Sequence, residues 1–212
     1  EKEGRGRYIS HLDLVRTMQR VFVRAGVSIW HTEGFNPHPY MTFALPLSVG
    51  TDSICELMDF QLTDETPLAA LPDKLNASLP DGIRVREAYR AERKFTELAF
   101  LRVSGLFEYD RGGAAGMADK LGAFFSAESL LVLRRTKRGE SEFDLAPHLH
   151  AVSFEADGET RVRVSAVLPA QNPSLNPMLL ADALSQRCPE LSPDFCRFRR
   201  EETLDAGMNI FR

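Results

Sequence analysis

The chain has 212 residues, of which 43% are hydrophobic and 26% charged, a balance typical of soluble globular proteins that excludes an intrinsically disordered chain. Its net charge is −4, so any contact with nucleic acid has to come from a local cluster of Lys and Arg. No apolar run approaches the roughly 20 residues of a membrane helix, and no secretory leader is visible. We therefore expect a cytoplasmic protein with no membrane contact.

The cysteines Cys55, Cys188 and Cys196 are odd in number, and none belongs to a Cys-x-x-Cys pair. Such a set makes neither a disulfide framework nor a four-thiolate zinc site. It also lacks the closely spaced triplet that holds the cluster of a radical iron–sulfur enzyme. The spacing of His148 and His150 would allow chelation from a strand, but no third ligand lies nearby. We expect no metal in this chain.

The first predicted elements are a strand end at residues 4–9 and a helix that starts at Ser10. Asp13, three residues after Ser10, completes a start signal related to the capping box, and Gly26 is expected to end the helix. The apolar positions of this helix share one side of the helical wheel and are Leu14, Val15, Met18, Val21, Phe22 and Ala25. The opposite side, expected to be solvated, carries Arg16, Arg20 and Arg24.

The elements after this helix continue the pattern as far as residue 89. A second helix is predicted from Pro67 to about Ser78, and Pro72 either kinks it or marks its true start. A turn at residues 79–82 follows. Strands are predicted at residues 27–30, 41–45, 54–62 and 83–89.

A charged link at residues 90–94 separates this series from a second one with the same order of elements. Helices are predicted at residues 113–127 and from Pro177 to about Arg187, and Lys137, Arg138 and Gly139 form a basic turn. The strands of this second series are predicted at residues 98–109, 129–136, 161–168 and 195–201.

The repeated order favours an α+β fold of two tandem ferredoxin-like units, each a β-α-β-β-α-β series with an antiparallel sheet covered by two helices. The predicted domains are residues 1–92, which contain a loop rich in His and Pro, and residues 93–212. Each unit is large enough to bury a core of its own.

The candidate site lies in residues 1–50, which carry six Lys and Arg against four Asp and Glu. Gly-Arg-Gly-Arg-Tyr at residues 4–8 suits phosphate contact and base stacking. The loop at residues 33–39 is stiffened by two prolines and carries an imidazole, and such loops are common sites of function. If both segments share one rim, they line a cleft for RNA whose candidate binding residues are Arg5, Arg7, Tyr8, His11, Asn36 and His38.

Within this cleft, the arginines would contact phosphates, Tyr8 would stack on a base, and Asn36 and His38 would read polar groups. His11 falls in the apolar arc of its helix, so a packed histidine and a ligand-facing histidine remain alternatives. Trp30 fits the core better than a stacking platform. No catalytic residue is assigned, because the nucleophile elbow, the phosphate loop and the dinucleotide fingerprint are all missing from the sequence.

Three segments resemble a known family: Arg-Tyr-Ile-Ser-His-Leu-Asp-Leu at residues 7–14, Glu-Gly-Phe-Asn-Pro-His-Pro at 33–39 and Phe-Ala-Leu-Pro-Leu-Ser-Val-Gly at 43–50. They are similar to the radical SAM-linked proteins, a bacterial domain of unknown function encoded beside, or fused to, a radical SAM protein. The resemblance implies that radical SAM protein as partner. It places S-adenosylmethionine, an iron–sulfur cluster and cobalamin in the partner, and no cofactor in this chain.

A weaker resemblance is to the CRISPR repeat-cleaving endoribonucleases, which also pair two ferredoxin-like units and use N-terminal histidines. The glycine-rich loop near the C-terminus of those enzymes is not evident in this sequence.

We expect a non-catalytic RNA-binding or substrate-presenting accessory module of a radical SAM enzyme that modifies RNA. One alternative is a metal-independent endoribonuclease in which His11 or His38 is the general acid or base. Another is a protein–protein adaptor that binds the radical SAM partner through an apolar patch. RNA binding that weakens with added salt would exclude the adaptor, and cleavage lost in His11→Ala or His38→Ala would select the nuclease.

Overall fold

The chain divides into two compact units, Glu1–Glu97 with Arg212, and Leu98–Phe211. The computed structural model describes residues 1–136 and 139–212. The basic turn predicted at Lys137 and Arg138 therefore lies outside the described residues. Each unit is described by itself below.

Helix α1, His11–Arg24, organises the first unit. The Ser10 hydroxyl accepts a hydrogen bond from the Asp13 N–H at 3.2 Å, as expected for a residue that caps a helix start. The helix ends just before Gly26, so its predicted extent is confirmed to within a residue. Its buried side chains join four from other segments in one core cluster, composed of Leu14, Met18, Val21, Phe22, Val27, Ile29, Leu71 and Leu75.

The strands of the first unit are short. They are β1 (Met41–Phe43), β2 (Asp52–Ser53) and β3 (Met58–Phe60). Strands β1 and β3 pair antiparallel, with Met41 opposite Phe60. The predicted strand at residues 27–30 contributes only a single bridge, from Ile29 to Leu62.

The second helix of this unit, α2, spans Leu71–Asn76 and follows a 3-10 turn at Leu68–Ala70. Pro72 lies in its first turn, where a missing N–H costs no helical hydrogen bond. Of the two alternatives for Pro72, the structure therefore confirms the helix start and not the kink.

The strand end predicted at residues 4–9 is wrong, because these residues turn back as a 3-10 helix, Gly4–Tyr8. Gly4 adopts φ +56°, a conformation in which glycine is favoured. Gly6 lies so close to Gly82 that an added Cβ would stand 2.3 Å from the Gly82 carbonyl oxygen. A contact between segments distant in the sequence thus replaces the predicted strand.

The strand predicted at residues 83–89 is also wrong beyond its first residue. Ile83 forms a single bridge with Lys2, and residues 84–89 have no strand assignment. The Asn76 side chain takes the place of a neighbouring strand. Its Nδ2 donates to the Val85 carbonyl at 2.9 Å, and its Oδ1 accepts from the Val85 N–H at 2.8 Å.

The second unit is built from longer strands. Its elements in chain order are β4 (Leu98–Glu108), α3 (Ala114–Phe125), β5 (Leu131–Thr136), β6 (Gly139–Asp144), β7 (Ala151–Ala156), β8 (Arg161–Pro169), α4 (Met178–Arg187) and β9 (Phe195–Asp205). Four of these strands pair antiparallel in the order β9-β4-β8-β7, and β5 with β6 forms a separate hairpin.

One face of the four-stranded sheet supplies the core of the second unit. Along β8 the residues alternate between buried and exposed positions, which is the period-2 pattern predicted there. The Phe107 ring of β4 is fully buried, with the Phe198 ring 5.9 Å away. The Phe125 ring of α3 stacks on Phe154 of β7 at 5.3 Å, so this helix covers the sheet.

The described residues thus contain four α-helices and several mostly antiparallel sheets, which confirms the mixed α+β class. Two tandem ferredoxin-like units are not confirmed. In the described part of the first unit, a two-stranded pair and single bridges lie where a four-stranded sheet was predicted.

Candidate functional site

The first group of candidate residues lies on the 3-10 helix Gly4–Tyr8, just before α1. Arg5 and Tyr8 are exposed, the Tyr8 side chain by 67%. Arg7 is more enclosed, because its Nε donates to the Gly4 carbonyl at 2.9 Å and its Nη1 lies 3.3 Å from the Asp52 carboxylate. The Arg7 guanidinium carbon stands 5.7 Å from the centre of the Tyr8 ring, a cation–π distance.

These contacts divide the work of the two arginines. Arg7 is paired with the Asp52 carboxylate and contacts the Tyr8 ring, so its role is to position that ring. Arg5 is exposed and has no ion pair within the described part of the chain, so its charge is left for a ligand. Neither Asp52 nor its pairing with Arg7 was predicted, because no local pattern links residues so far apart in the sequence.

Backbone hydrogen bonds hold the segment Gly4–Tyr8 in place. The Glu3 N–H donates to the Gly82 carbonyl at 2.8 Å, and the Gly50 N–H donates to the Arg7 carbonyl at 2.9 Å. The Lys2 side chain is 1% exposed, and its Nζ lies 3.4 Å from the same Arg7 carbonyl. The segment is therefore fixed before any ligand arrives, which lowers the entropy lost on binding.

His11, in the first turn of α1, is half-buried. Its ring meets Phe43 of β1 edge-on, with the ring centres 5.5 Å apart and the planes at 84°. An edge-to-face contact of this kind stabilises the packing of the ring. Of the two alternatives left by the sequence, the packed histidine describes this contact, and the residue as a whole stays partly exposed.

The second group lies on the loop between the bridged residues His31 and Pro39. The Thr32 N–H donates to the His38 carbonyl at 2.9 Å, and the Thr32 hydroxyl accepts from the His38 N–H at 3.2 Å. Nδ1 of His38 lies 3.2 Å from the Asn36 carbonyl and 3.1 Å from the Thr32 hydroxyl. A carbonyl only accepts, so the contact with Asn36 is a hydrogen bond in the tautomer that carries its proton on Nδ1, and that tautomer has Nε2 available for a ligand.

Asn36 contributes to this loop through its backbone, and its exposed side chain makes no hydrogen bond within the described residues. Phe35 at the loop tip is fully exposed. Trp30 at the loop base is half-buried and meets the exposed Tyr40 ring edge-on at 5.6 Å, and it is not a member of the core cluster around α1, where the sequence had favoured a core position. Thr32, which closes the loop, was missed because only its tertiary contacts reveal its role.

The base of this loop is held by Asp64, another residue that the sequence did not single out. One of its carboxylate oxygens accepts from the Ser28 N–H and the other from the Thr66 N–H, both at 2.9 Å. These hydrogen bonds favour the charged form and lower the pKa of Asp64 to about 2. The local signal for Asp64 is its position two residues before Thr66, because an Asp side chain that accepts from the N–H two residues later forms an Asx turn.

The six candidates thus form two groups within the first unit. Arg5, Arg7 and Tyr8 make one, and Asn36 with His38 makes the other. Among the described residues, none of their hydrogen bonds, ion pairs or ring contacts joins the two groups. His11 is the residue between them, since it follows the first group in sequence and packs on Phe43 of β1, the strand that the loop enters.

The two histidines with chelating spacing, His148 and His150, are engaged by aromatic rings. His148 stacks on Phe143 with ring centres 5.0 Å apart, and His150 meets Phe100 edge-on at 4.7 Å. Within residues 1–136 and 139–212, no group of three or more His, Cys, Asp or Glu is placed to hold a metal ion. None of the helices described there has the length and apolar character needed to cross a bilayer.

Fold and site together define an α+β protein of two units whose first unit presents arginine and aromatic side chains on irregular segments. A family described as uncharacterized protein conserved in bacteria, DUF2344, matches residues 1–177, and the chain belongs to this family. The match covers the first unit and continues to the residue before α4. Among curated proteins, none matches the chain.

Proposed function

We propose that this protein is a non-catalytic RNA-binding or substrate-presenting accessory module that acts with a radical SAM enzyme that modifies RNA. The observation that carries the proposal is the exposed pair Arg5 and Tyr8 on the 3-10 helix Gly4–Tyr8, which backbone hydrogen bonds already hold in place. Proteins that bind single-stranded RNA combine cationic groups with exposed rings on which bases stack. A short single-stranded segment is therefore the ligand that this surface suits best.

The Arg7–Tyr8 contact supports a role in stacking. The guanidinium of Arg7 holds one side of the ring and is itself held by Asp52 at 3.3 Å, so the ring is positioned before a base arrives. The loop supplies a second exposed ring, Phe35, and the exposed imidazole of His38. Rings and hydrogen-bonding groups on two segments fit several successive nucleotides better than they fit a small molecule.

The radical SAM partner is proposed on the resemblance carried by residues 7–14, 33–39 and 43–50. In this proposal the partner, and not this chain, holds S-adenosylmethionine, the iron–sulfur cluster and cobalamin. The module would act beside its partner in the cytoplasm, where it would deliver or orient RNA for the partner's chemistry.

The strand order of the second unit supports the ferredoxin-like part of the predicted fold. In chain order β4, β7, β8 and β9 are strands one to four, so the order β9-β4-β8-β7 reads 4-1-3-2 with every neighbour antiparallel. This is the order of a β-α-β-β-α-β sandwich. We infer a ferredoxin-like second unit with the hairpin β5–β6 inserted after its first helix, whereas the same fold for the first unit stays a prediction.

The test is the affinity of the full chain for a fluorescent single-stranded oligouridine, measured by anisotropy at several salt concentrations. Tyr8→Ala is expected to weaken binding about tenfold, because one stacked base contributes about 1–3 kcal/mol. Arg5→Ala should also weaken binding and reduce the slope of log K against log salt by about 0.7. The matched controls are Phe195→Ala and Arg111→Ala, an exposed ring and an exposed arginine of the second unit, which should bind like the unmodified chain.

An affinity that does not change with salt concentration would refute the RNA-binding proposal. Equal losses of affinity in Tyr8→Ala and Phe195→Ala would also refute it. Cleavage of the oligouridine that is lost in His11→Ala or His38→Ala would select the endoribonuclease instead. A radical SAM protein that co-purifies with the chain, in the absence of any RNA binding, would select the adaptor.

A further inference from the structure

A second feature of the first unit is a cleft between the outer side of α1 and the turn that follows α2. Its volume is about 340 Å³. It involves neither Gly4–Tyr8 nor the loop at residues 31–39. The residues that line it are Thr17, Arg20, Arg24, Ser78, Leu79 and Pro80.

The charge of this cleft is entirely positive. Arg20 and Arg24 are its charged lining residues, and the described lining includes no carboxylate. The two arginines are four residues apart on one helix, so their side chains lie on the same face about 6 Å apart along the axis. Like charges at this spacing on one helix are mildly destabilising, and an anion bound between them would relieve that repulsion.

Arg16, one turn earlier on the same helix, shows what an ordinary solvated arginine does in this structure. Its Nη1 lies 3.3 Å from the Asp13 carboxylate, which balances its charge. Arg20 makes no ion pair or hydrogen bond within the described residues. Arg24 makes one hydrogen bond, from Nη2 to the Ser78 carbonyl at 3.0 Å, which holds its guanidinium against the wall of the cleft and leaves its other N–H donors free.

The opposite wall is the turn that follows α2, and it is held in place. Leu79 packs against the core cluster around α1, and Pro80 restricts the backbone that follows it. The Ser78 N–H donates to the Leu75 carbonyl at 3.0 Å, which fixes the start of the turn. Ser78 of this turn and Thr17 of α1 also line the cleft.

We propose that this cleft binds a phosphate group. Two guanidinium groups balance the charge of a phosphate, and the planar fork of N–H groups that each one carries matches the phosphate oxygens in pairs. The phosphate would come either from a small phosphomonoester or from the backbone of a nucleic acid. The site does not depend on RNA binding at Arg5 and Tyr8.

The test is isothermal titration of the full chain with inorganic phosphate, with ribose 5-phosphate and with oligouridine. Arg20→Gln is expected to raise the dissociation constant about tenfold or more, because it removes charge-assisted hydrogen bonds. Arg16→Gln is the matched control, an exposed arginine on the same helix outside the cleft, and should change the constant less than twofold. Arg24→Lys keeps the charge and removes the planar fork, so it should also weaken binding.

Arg20 is exposed and makes no contact that the fold needs, so Arg20→Gln should melt at the same temperature as Arg16→Gln. Tighter binding of ribose 5-phosphate than of oligouridine would support a phosphomonoester as the source, and the reverse would support a nucleic-acid backbone. If no probe loses more affinity in Arg20→Gln than in Arg16→Gln, the cleft proposal is overturned. In that case a loss in Tyr8→Ala alone would leave RNA binding at the first surface intact.

Discussion

In the second unit, β4 and β9 are 11 residues long and β8 is nine, whereas the described strands of the first unit have two or three residues. The long strands hold one another through extended ladders, which the β4–β9 pair interrupts with register shifts between Leu98 and Phe100 and between Arg102 and Val103. The first unit instead relies on single bridges and on side chains that bind backbone groups, such as Asn76 on Val85 and Asp64 on Ser28. Its core cluster surrounds one helix.

This difference explains where the candidate surfaces lie. A paired strand commits its backbone groups to its neighbours and its side chains to two faces. An irregular segment that is held at a few points is not limited to the two faces of a sheet, so several of its neighbouring side chains can point to solvent. Gly4–Tyr8 and the loop closed by Thr32 are such segments. The comparison predicts that core substitutions in the second unit reduce stability, whereas changes at the fixing points of the first unit also alter binding.

The largest effect on stability is expected for Phe107→Ala in the second unit. This ring is fully buried between Phe154, at 6.3 Å, and Phe198, at 5.9 Å, so its removal should lower the free energy of unfolding by about 3–5 kcal/mol. Urea unfolding followed by circular dichroism measures this loss, and the control is Phe195→Ala, whose ring is 56% exposed. Similar losses in the two variants would show that the sheet does not hold this unit.

An intermediate effect is expected for Gly6→Ala in the first unit. The new Cβ would stand 2.3 Å from the Gly82 carbonyl oxygen, so backbone has to move, at a cost of about 1–3 kcal/mol. RNA affinity should fall with stability, because Arg5 and Tyr8 move with the turn. Gly116→Ala in α3 is the control: its Cβ would meet nothing within 4 Å, and it should stabilise the chain by about 0.5–1 kcal/mol. Unchanged unfolding of Gly6→Ala would contradict the close packing of this turn.

The smallest effect is expected for Asp64→Asn, and it depends on pH. The pKa of Asp64 is lowered from 3.8 to about 2, so its carboxylate stabilises the folded first unit above pH 3.8 and this contribution is lost as the pH falls toward 2. Asparagine keeps one acceptor oxygen for the two N–H groups of Ser28 and Thr66. The stability difference between the unmodified chain and the variant should therefore be constant near neutral pH and shrink across that acid range.

Urea unfolding at a series of pH values measures this difference, with Glu65→Gln as the control. Glu65 is the exposed neighbour of Asp64, and its side chain makes no hydrogen bond within the described residues. A difference that stays the same down to pH 2 would show that Asp64 does not hold the base of the loop through its charge.

Much of the secondary structure followed from local signals in the sequence. The Ser10 and Asp13 pair and Gly26 mark the ends of α1, and the alternation at residues 161–168 marks β8, because these patterns are read over one or two turns or a few strand residues. The predicted site residues on the first unit came from residue type alone. Their partners Asp52, Thr32 and Gly82 were not predicted, since nothing local relates them.

By itself, the sequence determined the helices, the long strands, the α+β class and the concentration of histidines, three of the five, in the first 50 residues. Only the tertiary structure decided that residues 4–8 turn against Gly82, that Asn76 replaces a strand beside Val85, and that Arg20 differs from Arg16. The reason is physical: periodicity reports which face of an element is apolar, whereas these features depend on which distant backbone or carboxylate lies within hydrogen-bonding distance.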